Sequence, residues 1–107
     1  MTDIVSASVL SLTATPEEFD GKRVRVVGYV VSQMEVWGVF DSEADRREGG
    51  FKRGVWLETY GTPYAQVNEA DAIVEGTYDA SSCGHLGMWS GTIREITRLE
   101  PLPPSRT

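Results

Sequence analysis

K-R-V-R-V-V-G-Y-V-V, residues 22–31, is the stretch on which the reading of the fold turns. Val24, Val26 and Val30 alternate against Val27, Tyr29 and Val31, which is the two-residue period of a strand with side chains on both faces. Gly28 stands in its middle and marks a bulge or a sharp coil, the device by which a small barrel turns its corners. Asp20-Gly21 turns the chain into this strand. Just before it, Thr15-Pro16-Glu17-Glu18 reads as the start of a one-turn helix anchored by Phe19. Thr15 serves as its cap, Pro16 suits the first helical position, and the two acids lie at the positive end of the dipole.

Outward from this strand the chain breaks into short elements. Residues 35–41 form a second strand, with Val36, Gly38 and Phe40 alternating against Trp37 and Val39. Residues 42–47 read as a short capped helix ending before Gly49-Gly50. A third strand covers 55–60 and a fourth 72–78, with one helical turn starting at Thr62-Pro63 between them. After the loop S-S-C-G-H-L-G-M, residues 89–99 form the last strand. Its spacing slips between Ile93 and Ile96, which predicts another bulge. In the first dozen residues Val5, Val9 and Leu12 fit a helical face, while Val5, Ala7 and Val9 fit strand alternation; the helix is preferred.

No connection is long enough for a crossover helix, which excludes a parallel α/β fold. The expectation is a mainly β protein: a small five-stranded, mostly antiparallel barrel with one or two short helices and with Val24, Val26, Val30, Ile73 and Ile93 in its core. Residues 1–100 make a single domain, and 101–107, P-L-P-P-S-R-T, a loose Pro-rich tail.

Charge narrows the choice of partner. The formal net charge is −6, which repels phosphate backbones and disfavours nucleic acid. Between Gly54 and Ile93 there is no Lys or Arg, while Glu58, Glu69, Asp71, Glu75 and Asp79 are acidic. Bases gather instead at Lys22, Arg23 and Arg25, and around Arg46, Arg47, Lys52 and Arg53. The single cysteine, Cys83, fits a reducing compartment, and the first residues lack the basic start of a secretory signal. No apolar run reaches membrane-spanning length, so a cytoplasmic protein is expected.

At residues 6–30 the run S-x-x-x-L-x-L, then T-P-E-E-F-D-G-K-R-V-R-V-V-G-Y-V, resembles the entry into small bacterial OB-fold domains. I-V-E-G-T-Y-D-A and G-H-L-G-M-W-S-G-T-I-R-E-I-T-R-L resemble the ending of a small uncharacterised bacterial family of this kind. The resemblance implies an OB-like barrel and carries no chemistry, since a fold does not fix a function. One departure stands out: OB folds place a helix between the third and fourth strands, where this chain has only a short link.

No catalytic arrangement rises above chance. Cys83 and His85, two apart in a glycine-rich loop, would need mutual contact and an oxyanion site to form a nucleophilic pair. A zinc site there would lack two ligands, and Gly84, Gly87 and Gly91 lack the context of a phosphate-binding loop. Pairs such as Glu58 with Glu75, or Asp71 with Asp79, are expected by chance among 16 acids. Tyr29, Trp37, Trp56 and Trp89 offer rings for base stacking, with Arg23, Arg25, Lys52 and Arg53 as phosphate partners, but the missing positive field weighs against it. The expected function is therefore a non-enzymatic module, without cofactor or metal, that binds a basic partner protein through Glu58, Glu69, Asp71, Glu75 and Asp79. Its most concrete form is an acidic bacterial immunity or antitoxin protein. The alternative is an OB domain binding an oligonucleotide or small ligand.

Overall fold

The stretch at 22–31 is the spine of a six-stranded sheet. In the computed structural model, which describes residues 3–33, 36–59 and 62–103, the strands are β1 (Ile4–Ala7), β2 (Arg23–Gln33), β3 (Val36–Phe40), β4 (Gly54–Leu57), β5 (Ala70–Asp79) and β6 (Thr92–Pro101). Two short helices, α1 (Val9–Ala14) and α2 (Glu43–Glu48), precede β2 and β4 respectively. Single 3-10 turns occur at Pro16–Glu18, Phe51–Arg53, Pro63–Gln66 and His85–Gly87. Neither helix is long and apolar enough to cross a membrane.

Five strands form a ring in the order β2-β3-β4-β6-β5, which closes because β2 pairs with β5 as well as with β3. The length of β2 makes this closure feasible. Arg23 to Val30 pair with β5, and Tyr29 to Gln33 pair with β3. The ring is mostly antiparallel, as expected, with one parallel pair, and a sixth strand lies outside the expectation. β4 and β6 pair in parallel, and β1 adds a sixth strand, parallel to the first half of β2.

Gly28 is the coil rather than the bulge. Register runs unbroken through Gly28 opposite Ala72. A Cβ at Gly28 would stand 2.7 Å from Val39 Cγ2 and closer still to the carbonyl oxygen of Phe40. Glycine here lets β2 bend while β3 crosses close against it. The slip expected near Ile93 and Ile96 is a true bulge. Partners jump from Glu75–Arg98 to Thr77–Arg94, leaving Glu95, Ile96 and Thr97 facing Gly76. Arg23 clamps the bulge, donating to the Glu95 carbonyl at 2.7 Å and to the Thr97 and Thr77 hydroxyls at 2.6 and 3.2 Å.

Inside the ring lie Val24, Val26, Val30, Val39, Val55, Leu57, Val74 and Ile93, all fully buried, with Val9 and Leu12 of α1 packed among them. Ile73 is not part of this core. In β5 it is Ala72 and Val74 that point inward, so strand alternation places Ile73, only half-buried, on the outer face. Tyr78 spans the core and donates to the Ser90 carbonyl at 2.8 Å. Burial, reinforced by Asp20, Cys83 and Asp79, pushes its phenol up to about 12.

Local capping explains the remaining differences. Both readings of the first dozen residues are partly realised, because strand β1 is followed at once by α1. Ser8 and Ser11 form a reciprocal capping box, which starts the helix at Val9. Thr15 does not cap the next turn; its hydroxyl bonds back to the Ser11 carbonyl at 3.2 Å. Ser42 caps α2 and Thr62 caps the turn at Pro63, as the sequence implies. β6 continues to Pro101, and the Leu102 N–H donates to the Asp71 carbonyl at 2.8 Å, so the tail begins later than residue 101. Residues 104–107, and the strand ends expected at Glu35 and Tyr60, lie outside the described residues.

Candidate functional site

The outer face of β2, β3 and β4 carries a second apolar cluster, separate from the core. Val31, Phe40 and Trp89 are buried there, with Tyr29, Val36, Phe51 and Trp56 packed against them. Glycines build the seat for Trp89. A Cβ on Gly38 would overlap its indole, and one on Gly54 would stand 2.8 Å from it. Phe40, Phe51 and Trp56 surround the ring at centroid distances of 5.5, 5.2 and 5.3 Å, and Trp89 is only 4% exposed.

The four rings considered for stacking therefore do not form one open surface. Trp89 is covered, Trp56 meets it edge-on, Tyr29 lies half-buried on the same face, and Trp37, alternating with Gly38, belongs to the other face of β3. The four phosphate partners are largely engaged as well. Arg23 holds the bulge, Arg25 Nε lies 2.8 Å from Glu75, Arg53 lies 3.1 Å from Asp45, and Lys52 alone stays exposed without an ion pair among the described residues.

Trp89 is delivered by the segment 80–91, which is tied down at both ends. Asp79 accepts from the N–H and hydroxyl of Ser81, and the Thr92 hydroxyl donates to the Ser82 carbonyl. Farther on, the Trp89 N–H donates to Cys83, the Ser90 N–H to Gly54 and the Ser90 hydroxyl to the Lys52 carbonyl. The tip behaves differently. Leu86 is held in left-handed backbone at φ 60° and is 75% exposed, with Met88 beside it 41% exposed. Cys83 is exposed, and the His85 side chain, the other half of the supposed nucleophilic pair, lies outside the described residues. Among the described residues no group of His, Cys, Asp and Glu gathers to hold a metal.

The structure separates the five acids into two kinds. Glu75 is buried between two arginines, its Oε2 accepting from Arg25 Nε at 2.8 Å and from Arg98 Nη1 at 3.0 Å. These bonds, Arg25 first, hold its carboxyl below the usual range. Asp79 is also held low, chiefly by the Ser81 hydroxyl and N–H, with Arg94 3.1 Å away. Glu58 is exposed and reaches Arg94 only at 4.0 Å. Glu69 and Asp71 are exposed and form no ion pair among the described residues. Sequence alone does not reveal this division, because the arginines that neutralise Glu75 and Asp79 come from β2 and β6, outside the acidic stretch.

The Glu75 arrangement has a pH signature. A carboxyl depressed in the folded state contributes stability that is fully present above its unfolded pKa, about 4.3, and is lost as pH falls through the folded value. Glu75→Gln should lower the melting temperature at neutral pH and flatten its acid limb, so that wild type and variant converge under acid conditions. A constant difference across the titration would show that Glu75 acts through packing alone.

A cleft between β2 and α2 escapes the sequence reading. Tyr29 and Val31 form its floor, Glu43, Arg46 and Arg47 one wall, and Glu69 its rim, around a volume of about 230 Å³. The Arg46 guanidinium sits 5.8 Å over the Phe40 ring. Burial, then Glu43 and Glu69, raise the Tyr29 phenol, against a smaller lowering by Arg46. The sequence signal was Arg46-Arg47 on a capped helix, but nothing in the sequence placed that helix over Tyr29.

No family model, curated protein or solved structure matches the chain.

Proposed function

We propose that the chain is a non-enzymatic binding module built on an OB-like barrel, and that it engages a basic partner protein through the tip of segment 80–91. The most concrete role of this kind is that of an acidic bacterial immunity or antitoxin protein. The observation that carries the reading is Leu86, which combines two unfavourable features: left-handed backbone and a largely exposed apolar side chain. A left-handed non-glycine residue costs roughly 1–2 kcal/mol, and glycine or asparagine would relieve it. Strain that the fold does not require is the kind retained at functional sites. The left-handed Glu95, by contrast, is accounted for by the bulge in β6.

Strand order supports the OB reading. Counted from β2, the ring runs first, second, third, fifth, fourth and back to the first, the order of a five-stranded Greek-key barrel. In such barrels the outer face of the second and third strands takes oligonucleotides. Here Trp89 and Phe51 of the chain itself occupy that face, which favours a protein partner met by the loop over nucleic acid laid on the sheet. Charge supplies the sign of the partner. Glu58 follows Trp56 on one side of this face, and Glu69 and Asp71 flank Tyr29 on the other.

Steering by exposed acids acts on the association rate and is screened over about 8–10 Å at physiological salt. Replacing Glu58 and Asp71 by Ser should slow association with the captured partner several-fold at low salt and far less at high salt, in stopped-flow measurements. Folding should change little, since exposed charges contribute about 0–1 kcal/mol each. Rates indifferent to both salt and substitution would remove the charge argument. Tighter oligonucleotide binding by the variant would favour the nucleic-acid alternative.

A further inference from the structure

Like Leu86, Glu69 is left-handed, at φ 53°, with no bulge to account for it, and it lies on the cleft between β2 and α2. Its neighbour Asn68 pins the segment to β2, accepting from the Ser32 N–H at 2.8 Å and donating to Gln33 at 3.0 Å. Glu69 is therefore held beside Tyr29 by a strained but anchored backbone. Opposite it stand Glu43, Arg46 and Arg47 of α2. The cleft thus contains two cations and two anions, yet among the described residues none of the four closes an ion pair with another. Opposite charges that line one concavity without neutralising each other leave both signs open to an occupant.

We propose that this cleft binds a small zwitterion of amino-acid size, its carboxylate on Arg46 and Arg47 and its ammonium on Glu69 and Glu43, with its apolar body on Tyr29. The size follows from the volume. About 230 Å³ is below the roughly 300–1,000 Å³ of pockets that take drug-sized ligands, and it suits a free amino acid. The chemistry follows from the lining, because guanidinium groups pair with carboxylates in charge-assisted hydrogen bonds and a carboxylate offers the complementary acceptor to an ammonium. A simple anion would leave Glu43 and Glu69 repelling it, and a simple cation would meet the same objection from the arginines. The site is separate from the loop tip at Leu86, so either can fail without the other.

The test is an amide-resolved NMR titration of the full chain with L-phenylalanine as the probe. N-acetyl-L-phenylalanine, which lacks the cation, and L-phenylalaninamide, which lacks the carboxylate, serve as controls. Saturable shifts are expected at Tyr29, Val31, Arg46, Arg47 and Glu69, with each blocked form binding about tenfold more weakly, the loss of one charge-assisted contact. Arg47→Gln should erase the preference for the free acid over the amide, and Glu69→Gln the preference for the free amine over the acetylated form. Both side chains are on the surface, so both variants should fold. Absence of saturable shifts up to the solubility limit, equal binding of the acetylated form, or discrimination unchanged in both variants would each overturn the proposal.

Discussion

Trp89→Ala should destabilise the protein by about 3–5 kcal/mol, the range for removing a buried large aromatic, read as a fall in the denaturant midpoint at unchanged slope. Although Trp89 lies outside the ring, it is nearly fully buried and fills a seat whose floor is Gly38 and Gly54. Its loss would empty the space between Phe40, Phe51 and Trp56 and free the end of the loop that these contacts hold. The glycine seat allows a sharper check. Gly38→Val should be costly in the wild type, where the new side chain overlaps the indole, and much less costly once Trp89 is Ala. That coupling is what a double-mutant cycle measures. Additive effects would mean that Gly38 and Trp89 do not share the space as described.

Gly28→Val should cost about 1–3 kcal/mol or more through overpacking. The obstruction is the backbone carbonyl of Phe40 together with Val39 Cγ2, and a hydrogen-bonded strand cannot step aside as a flexible side chain would. At Gly50 the cost of a side chain would come from the backbone instead: a Cβ there meets nothing within 4 Å, but φ 69° with ψ −174° is a conformation essentially confined to glycine. A melting temperature unchanged by Gly28→Val would show that β2 and β3 do not pass as closely as the coil requires.

Much of the ring could be read from the chain because its signals are local. The alternation in β2, the caps at Ser42 and Thr62 and the slip in β6 each depend on residues close in sequence. What escaped depended on long-range register. Ile73 was expected inside because isoleucine is apolar, yet the phase of β5 is set by Ala72 opposite Gly28, which turns Ile73 outward. The parallel β1 was hidden because four residues carry too little periodicity to separate strand from helix. The candidate site was legible only in part. The acidic stretch was visible, but the arginines of β2 and β6 that neutralise Glu75 and Asp79 enter through strand pairing. Leu86 and Met88, two apolar residues among the glycines of a polar loop, were a signal in plain view whose weight came only with the backbone conformation and exposure.

We propose that the strained tip at Leu86 is the point of contact with a basic protein. Leu86→Asn tests it most directly, because asparagine accepts left-handed backbone and removes the apolar surface in one change. The measurement is affinity capture from the source cells, with wild type and variant side by side and each also followed by thermal melting. Wild type should retain one stoichiometric basic protein, Leu86→Asn should lose it, and the variant should melt at the same temperature or higher. Equal retention of that protein by a well-folded Leu86→Asn would show that the tip is not the point of contact, and nuclease-sensitive nucleic acid in its place would show that the partner is not a protein.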